Sequence, residues 1–370
     1  MVAGNRAPLI VVAAGGTGGH LFPAEALASV LQTRSKDVAL VTDSRATRYG
    51  DHFPAATIHL IPSATLRARH PIAVAQTATM LGLGLAKAWV LLGQLRPAAV
   101  IGFGGYPTVP PVMAATLRGI PTIIHEQNGV MGRANRLLAA RVTAIATSFP
   151  AVLGPNHRWT PKVHQTGNPV RPAVVAAAKI PYRPTEPEGP LRLLVFGGSQ
   201  GAHIMAKIVP PAIAHLDPTL RSRLRVIQQA RPEDIEEVRQ SYSALGVETE
   251  VAPFFSDLPA RMASAHLVVS RSGASTVAEL AAIGRPAILV PLPHALDQDQ
   301  LANATALASV GGAIVITQDA FSPERLADEI IRLAGSDRLA AMAKAAATMG
   351  TTDAADRLAD LVLSTAGLSR

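Results

Sequence analysis

One local pattern occurs near the start of each half of this 370-residue chain and limits what the chain can fold into. In "LIVVAAGGTGGHLFPAEALA" an apolar run ends in a glycine-rich turn, and from Pro23 apolar residues recur at helical spacing; "LRLLVFGGSQGAHIMAKIV" repeats this order. A strand, a glycine turn and a helix place helix N–H groups where they can bind a phosphate. A plain tight connection between strand and helix is the alternative.

Further short apolar runs alternate with helical patterns, which predicts α/β units around parallel sheets. The proline-rich stretch "IPYRPTEPEGP" interrupts this rhythm between the halves. We therefore expect two Rossmann-like domains, residues 1–170 and 171–350, with a helix at about 351–370 that packs back on the first. Ligands bind at the carboxyl ends of such strands, so two facing sheets would form a cleft with glycine loops on both walls.

Charge is distributed unevenly along the chain. Residues 1–170 hold 15 Lys and Arg against 5 Asp and Glu, whereas residues 171–370 hold 19 against 21. The first half therefore suits an acidic partner. Aromatic residues make up only 4 % and do not alternate with basic ones, so we expect no nucleic acid partner. The absence of cysteine excludes disulfides and thiolate sites and fits a reducing compartment.

The apolar segment Pro71–Leu95 is long enough to cross a bilayer and carries one formal charge, Lys87. Polar residues and glycines interrupt it. We expect a helix that lies partly in the core and partly at a membrane surface, with Arg67, Arg69 and Lys87 near anionic headgroups and Trp89 at the interface. A wholly buried core helix is the alternative.

A third turn, "SRSGASTVAEL", precedes a helix predicted from about Ser275. Its first turn would bind a diphosphate, and Glu279 would accept hydrogen bonds from ribose hydroxyls; an ordinary charge in a first helical turn is the alternative. Asp43, at the end of the second strand, leaves an NAD-dependent enzyme open, but the first glycine turn lacks the dinucleotide spacing.

Seven motifs, in order from Gly15 to Ala304, carry a resemblance to a known family. They are "GGTGGHLFPAEALA", "GFGGYPTVPP", "HEQNGVMGRANRLLA", "TGNPVR", "FGGSQGA", "SRSGASTVAEL" and "HALDQDQLANA". Together they are similar to the MurG family, bacterial lipid I N-acetylglucosaminyltransferases.

This resemblance implies a GT-B fold and an inverting transfer of N-acetylglucosamine from UDP-N-acetylglucosamine to the C4 hydroxyl of the muramoyl sugar of lipid I. The product is lipid II, made at the cytoplasmic face of the cell membrane by a peripheral enzyme that can work beside other wall-building proteins. We expect no cofactor and no resident metal. Another UDP-sugar transferase, a UDP-N-acetylglucosamine epimerase of the same fold or a non-catalytic membrane-surface scaffold is the alternative.

The resemblance also implies site residues. For UDP-N-acetylglucosamine they are Gly16, Thr17, Gly18, Asn128, Arg171, Ser199, Phe255, Ala274, Ser275, Thr276, Glu279 and Gln300. For the acceptor they are Gly19, Gly104, Gly105 and Tyr106, although Tyr106 could merely pack. His20 is the first candidate for the general base because imidazole titrates near neutral pH; His125 and Glu126 follow. A hydrogen bond from His20 to its own loop is the structural alternative.

Overall fold

The computed structural model describes residues 7–15, 18–44, 53–63, 71–150, 152–153, 157–186, 188–198, 201–293, 298–334 and 337–368, with the backbone alone for 71–76 and 78. The chain forms two compact units. Unit 1 comprises Met1–Arg171 with Asp353–Arg370, and unit 2 comprises Pro172–Thr352.

Unit 1 contains a seven-stranded parallel sheet in the order β3-β2-β1-β4-β5-β6-β7. Its strands are β1 (Leu9–Ala13), β2 (Asp37–Thr42), β3 (Thr57–Leu60), β4 (Ala99–Gly102), β5 (Thr122–Glu126), β6 (Ala144–Thr147) and β7 (Val163–Gln165). Its helices are α1 (Gly18–Thr33), α2 (Pro71–Leu95), α3 (Val109–Leu117), α4 (Arg133–Leu138) and, from the end of the chain, α14 (Ala354–Thr365).

Unit 2 contains a six-stranded parallel sheet in the order β10-β9-β8-β11-β12-β13. Its strands are β8 (Leu191–Phe196), β9 (Leu224–Gln229), β10 (Glu248–Ala252), β11 (Leu267–Ser270), β12 (Ala287–Leu289) and β13 (Ala313–Val315). Its helices are α5 (Pro172–Ala177), α6 (His203–Ala214), α7 (Pro218–Arg223), α8 (Ile235–Ala244), α9 (Leu258–Ser264), α10 (Ala274–Ile283), α11 (Asp299–Ser309), α12 (Pro323–Ala334) and α13 (Arg338–Met349).

Strand order reverses at one point in each sheet, between β1 and β4 in unit 1 and between β8 and β11 in unit 2. Loops that follow strands on either side of such a reversal diverge and leave a crevice for a ligand. The glycine turns that follow β1 and β8 lie at these two points. The fold thus places the predicted phosphate-binding turns where open parallel sheets bind ligands.

Helix α14 returns to unit 1 after the chain has completed unit 2. Leu358, Val362 and Leu363 are fully buried in the same core cluster as Leu27 and Leu31 of α1. At the surface, Arg34 bonds to Asp360 at 2.6 Å and to Asp356 at 2.8 Å. Apolar burial therefore holds this helix, and the partly exposed ion pairs add less.

Helix α2 divides its described side chains between the core and the surface. Ala88 and Leu92 are buried against the sheet, whereas Leu83 and Val90 are each 58 % exposed. A methyl group on Gly84 would lie 2.3 Å from the Pro62 carbonyl oxygen, so this glycine lets the helix approach the chain after β3. None of the helices in the described residues is both long and apolar enough to cross a membrane.

Helix α1 begins at Gly18, five residues before the predicted start at Pro23. A proline inside a helix removes one hydrogen bond and normally ends or bends it. Here Pro23 lies early in the helix, and the buried residues on both sides of it hold the turn in place. His20 consequently lies in the first turn of the helix.

Candidate active site

The His20 imidazole lies against the loop that follows β4. A methyl group placed on Gly105 would lie 3.3 Å from His20 Cδ2 and Nε2, and one placed on Gly104 would lie 3.4 Å from Cε1. Both glycines have positive φ, +83° and +73° for Gly104 and Gly105, which other residues rarely adopt. A methyl group on Gly15 would lie 3.2 Å from His20 Cδ2. The glycines on both sides of the switch point therefore make the space that this half-buried ring occupies.

Other acceptor candidates lie around the same loop. Tyr106 is half-buried and opens a short 3-10 turn over Tyr106–Thr108, which Thr108 closes by donating its hydroxyl to the Gly105 carbonyl at 2.8 Å. Gly19 is exposed and Gly18 is buried at the start of α1. Gly16 and Thr17 lie outside the described residues.

Glu126, at the end of β5, organises the loop that follows it. Oε1 accepts hydrogen bonds from the Asn128 N–H at 3.0 Å and from its side-chain amide at 3.3 Å. Oε2 accepts from the Gly132 N–H at 2.9 Å and from Asn135 Nδ2 at 2.8 Å. Burial raises the pKa of Glu126, against these four bonds, which lower it. The carboxylate is committed to its loop, which argues against a role as the base and for one in positioning Asn128.

His125 is fully buried and uses both ring nitrogens within unit 1. Nε2 donates to the Gly167 carbonyl at 2.9 Å, so Nδ1 accepts from the Gln127 side-chain amide at 3.0 Å. Burial lowers the pKa of His125 to about 4. No ring nitrogen is left for a substrate proton. Both ring nitrogens are thus engaged within unit 1, an arrangement that favours a structural role for His125 over that of the base.

In unit 2 the backbone at Gly197, after β8, lies very close to the backbone at Ala202. A methyl group on Gly197 would lie 2.3 Å from the Ala202 backbone nitrogen, so only glycine fits there. Gly198 and Gly201 have φ of +87° and +68°. The predicted diphosphate residue of this turn, Ser199, lies outside the described residues.

Helix α10 begins directly after the turn that follows β11. Its N-cap residue is Gly273, which supplies no side chain to block the first-turn N–H groups around Ala274 and Thr276. The Ser275 hydroxyl is buried and has no hydrogen-bond partner among the described residues. Such a helix start is suited to an anion.

Glu279 and Gln300 lie beside this helix start. Glu279, one turn into α10, is only 5 % exposed, so it is not an ordinary solvated charge. Ser272, before the helix, donates its hydroxyl to the Gln300 carbonyl at 2.8 Å, and the Gln300 side chain accepts from the Leu292 N–H at 3.1 Å. Unit 2 thus brings Ala274, Ser275, Thr276, Glu279 and Gln300 to one place.

Two other predicted donor residues make cation–π contacts. The Arg171 guanidinium lies 4.4 Å from the centre of the Phe22 ring, within unit 1. Phe255 is buried in the loop after β10, with the Arg261 guanidinium 4.3 Å from its ring centre. These contacts orient both side chains.

Four supporting residues escaped the sequence analysis. Gln127 and Asn135 hold His125 and Glu126, Gln229 bonds to the turn after β8, and Asn303 donates to the Ser272 carbonyl at 3.2 Å. Gln127 and Asn135 lie in the glycine-containing motif "HEQNGVMGRANRLLA", whereas Gln229 and Asn303 have no glycine near them in the sequence. The sequence offered one signal for two of them, since Gln127 directly follows a strand and Gln229 ends one; Asn135 and Asn303 lie in helices.

The two parallel sheets, each with a glycine turn at its switch point, are the two Rossmann-like domains of the GT-B fold, which solved glycosyltransferase structures share. The glycosyltransferase family 28 N-terminal domain matches residues 10–147 and the family 28 C-terminal domain matches residues 192–358. The chain therefore belongs to glycosyltransferase family 28 and, within it, to the MurG family, as the following relatives establish.

A Rhodopseudomonas palustris (strain HaA2) protein named UDP-N-acetylglucosamine–N-acetylmuramyl-(pentapeptide) pyrophosphoryl-undecaprenol N-acetylglucosamine transferase is 61 % identical over 365 residues, 98 % of this chain and 100 % of that protein. A Bradyrhizobium sp. (strain ORS 278) protein of the same name is 58 % identical over 98 % of this chain and 100 % of its own length. The crystal structure of Acinetobacter baumannii MurG covers 96 % of this chain and 98 % of its own, with 29 % identity and a TM-score of 0.78.

Proposed function

We propose that this chain transfers N-acetylglucosamine from UDP-N-acetylglucosamine to the C4 hydroxyl of the muramoyl sugar of lipid I, forming lipid II. The observation that carries the proposal is the start of α10, where uncapped N–H groups are followed one turn later by the buried Glu279. A helix start of this kind suits a diphosphate, and a carboxylate one turn further on suits ribose hydroxyls. The names of relatives that are about 60 % identical support the choice of sugar and acceptor.

His20 is the residue that we assign as general base. It would take the proton of the C4 hydroxyl while that oxygen attacks the anomeric carbon and the bond to UDP breaks, with inversion. In unit 2, the α10 N-terminus and the turn that contains Ser199 would stabilise the departing diphosphate. Glu126 would act through Asn128, whose backbone and side chain it binds.

The exposed side of α2 is the part of unit 1 that we assign to the membrane. Met80, Leu83 and Val90 are exposed apolar residues on this helix, and Ile58 and Leu60 are exposed on β3. Lys87 lies among them and donates to the Leu60 carbonyl at 2.9 Å. An apolar face with the basic Lys87 beside it suits an anionic lipid surface, which fits a peripheral enzyme at the cytoplasmic face. Arg67 and Arg69, predicted for the same surface, lie outside the described residues.

Transfer of labelled N-acetylglucosamine to a lipid I analogue tests the reaction and the role of His20. We expect His20→Ala to lower kcat by roughly 10²–10⁴-fold with little change in the dissociation constant of UDP. His164→Ala, which changes an exposed histidine in β7 of the same unit, is the control and should leave kcat unchanged.

Two results would contradict this proposal. If the protein binds UDP but forms no disaccharide, lipid I is not its acceptor, and only the assignment of the donor site is supported. Conversion of UDP-N-acetylglucosamine to its epimer in the absence of acceptor would favour an epimerase of the same fold.

A further inference from the structure

Gln229 is the last residue of β9, the strand that lies between β8 and β10 in the sheet of unit 2. Its side chain is buried and bridges the loops that follow those two neighbours. Oε1 accepts a hydrogen bond from the Gly197 N–H at 3.1 Å, and Nε2 donates one to the Pro253 carbonyl at 3.1 Å. One amide group thus joins the glycine turn to the loop that carries Phe254 and Phe255.

The two partners of this amide are of opposite kind, so its orientation is determined. The Gly197 N–H can only donate and the Pro253 carbonyl can only accept. A rotation of the amide by 180° would set oxygen against oxygen and N–H against N–H. Losing either bond would leave a buried polar group without a partner, which costs more than the bond itself contributes.

Two further contacts hold the other end of the glycine turn to the same segment after β9. A methyl group on Gly201 would lie 3.1 Å from Arg231 Cγ, so the Arg231 side chain packs directly against that glycine. Asp234 bonds to His203, the first residue of α6, at 2.8 Å between Oδ1 and Nδ1. The segment from Gln229 to Asp234 therefore contacts the turn at its start and at its end.

We infer that Gln229 is a positioning residue for the donor nucleotide, because it fixes the distance between the turn assigned to the diphosphate and the loop assigned to the uracil. The uracil and the diphosphate of one nucleotide must be bound at the same time. A change in the spacing of the two loops therefore lowers the affinity for the whole nucleotide more than the affinity for either part alone. This inference rests on the proposed function, which assigns UDP to unit 2.

The test compares two variants of the intact protein. Gln229→Met keeps most of the side-chain volume and removes both hydrogen bonds, and Gln229→Glu keeps an acceptor for Gly197 but loses the donor to Pro253. Tyr242→Phe is the control. It removes the bond from the buried Tyr242 hydroxyl to Gln228 at 2.5 Å, so it perturbs the neighbouring strand residue without touching either loop.

Calorimetry with UDP, uridine and inorganic pyrophosphate gives the decisive readout, together with KM and kcat for UDP-N-acetylglucosamine. We expect Gln229→Met to raise the dissociation constant of UDP and the donor KM about tenfold. The dissociation constants of uridine and pyrophosphate should change less than about twofold, and kcat and the acceptor KM should stay nearly constant. Gln229→Glu should also raise the dissociation constant of UDP, and Tyr242→Phe should leave that constant unchanged.

Each remaining outcome overturns the inference. An unchanged UDP affinity in both Gln229 variants removes the positioning role, while the proposed function stands. Equal losses of affinity for UDP, uridine and pyrophosphate would show general damage to unit 2 instead. The same loss of UDP affinity in Tyr242→Phe would show this too. If the intact chain does not bind UDP, the proposed function fails and this inference fails with it.

Discussion

Substitution of Glu279 should lower the affinity for the donor nucleotide most directly. Glu279→Gln keeps the shape of the side chain and removes its charge, so bonds from ribose hydroxyls lose a charged acceptor. We expect the dissociation constant of UDP to rise about tenfold, because hydrogen bonds to charged groups contribute about 1.5–3 kcal/mol. Calorimetry with UDP measures this.

A second buried carboxylate of unit 2 serves as the control for Glu279. Glu329 of α12 is 4 % exposed and is paired with Arg325 and Arg332. Glu329→Gln should cost stability without changing UDP affinity. An equal loss of affinity in both variants would contradict the assignment of Glu279 to the ribose.

His125 makes the stability of unit 1 depend on pH. The folded state keeps the ring neutral with a pKa of about 4, whereas the unfolded chain takes up the proton below the usual pKa of about 6.5. The unfolded state therefore binds more protons between these values, and stability falls as the pH falls. From pH 7 to pH 5 we expect a loss of about 2 kcal/mol from this residue. Urea unfolding of the intact protein and of His125→Asn measures it, and an equally steep pH dependence in the variant would contradict this account.

Helix α2 combines a buried stripe of side chains with an exposed stripe of apolar side chains. The double variant Leu83→Glu, Val90→Glu changes two residues that are each 58 % exposed, so the core should keep its packing. We expect its affinity for vesicles that contain phosphatidylglycerol to fall about tenfold or more, because apolar contact is lost and like charges repel. Sedimentation with such vesicles measures the bound fraction.

The matched control for α2 lies in unit 2. Ile331 of α12 is 47 % exposed, and Ile331→Glu should leave vesicle binding unchanged. Equal binding by the α2 variant and the intact protein would exclude this face as the membrane contact. Equal weakening by Ile331→Glu would show that charge alone, and not the α2 surface, decides the result.

Each unit has its own core, and α14 belongs to the core of unit 1. Leu358→Ala should destabilise unit 1 by about 2–5 kcal/mol, and Leu326→Ala should do the same to unit 2, since both side chains are fully buried. Calorimetric melting should then show that each variant lowers a different transition. UDP at about 100 times its dissociation constant should stabilise unit 2 by about 2.7 kcal/mol. A single transition that both variants lower equally would contradict independent cores.

Much of the fold could be predicted because central parallel strands are buried on both faces and appear as uninterrupted apolar runs. "LIVVA", "VALVT", "AVIG" and "LVVS" all correspond to strands of the structure. The edge strands β3, β7 and β10 have mixed sequences such as "TIHL", "VHQ" and "ETEVA" and exposed positions, so no apolar run marks them. Helix α1 was predicted too short because its first turn contains glycines and precedes a proline.

The sequence was enough to predict which loops form the candidate site. It was not enough to predict which side chains of that site are available for chemistry. Glycine turns after strands are visible in the sequence, because positive φ and close backbone approach require glycine, and the predicted diphosphate and acceptor loops rest on them. Whether a histidine or a carboxylate is available for chemistry depends on what surrounds it in space. His125 and Glu126 are the last two residues of strand β5, a position at which reactive groups are expected. Their hydrogen bonds to Gly167, Gln127 and Asn135 nevertheless commit them to the fold.

The amino-acid sequence by itself determined the class of fold, the family and the position of the glycine turns, since these depend on local periodicity and on residues with special backbone freedom. Only the tertiary structure decided which polar groups are buried, how α2 divides its surface between core and solvent, and that Gln229 joins two loops that are far apart along the chain. Burial and hydrogen-bond partners are set by residues distant in sequence, and no local pattern contains that information.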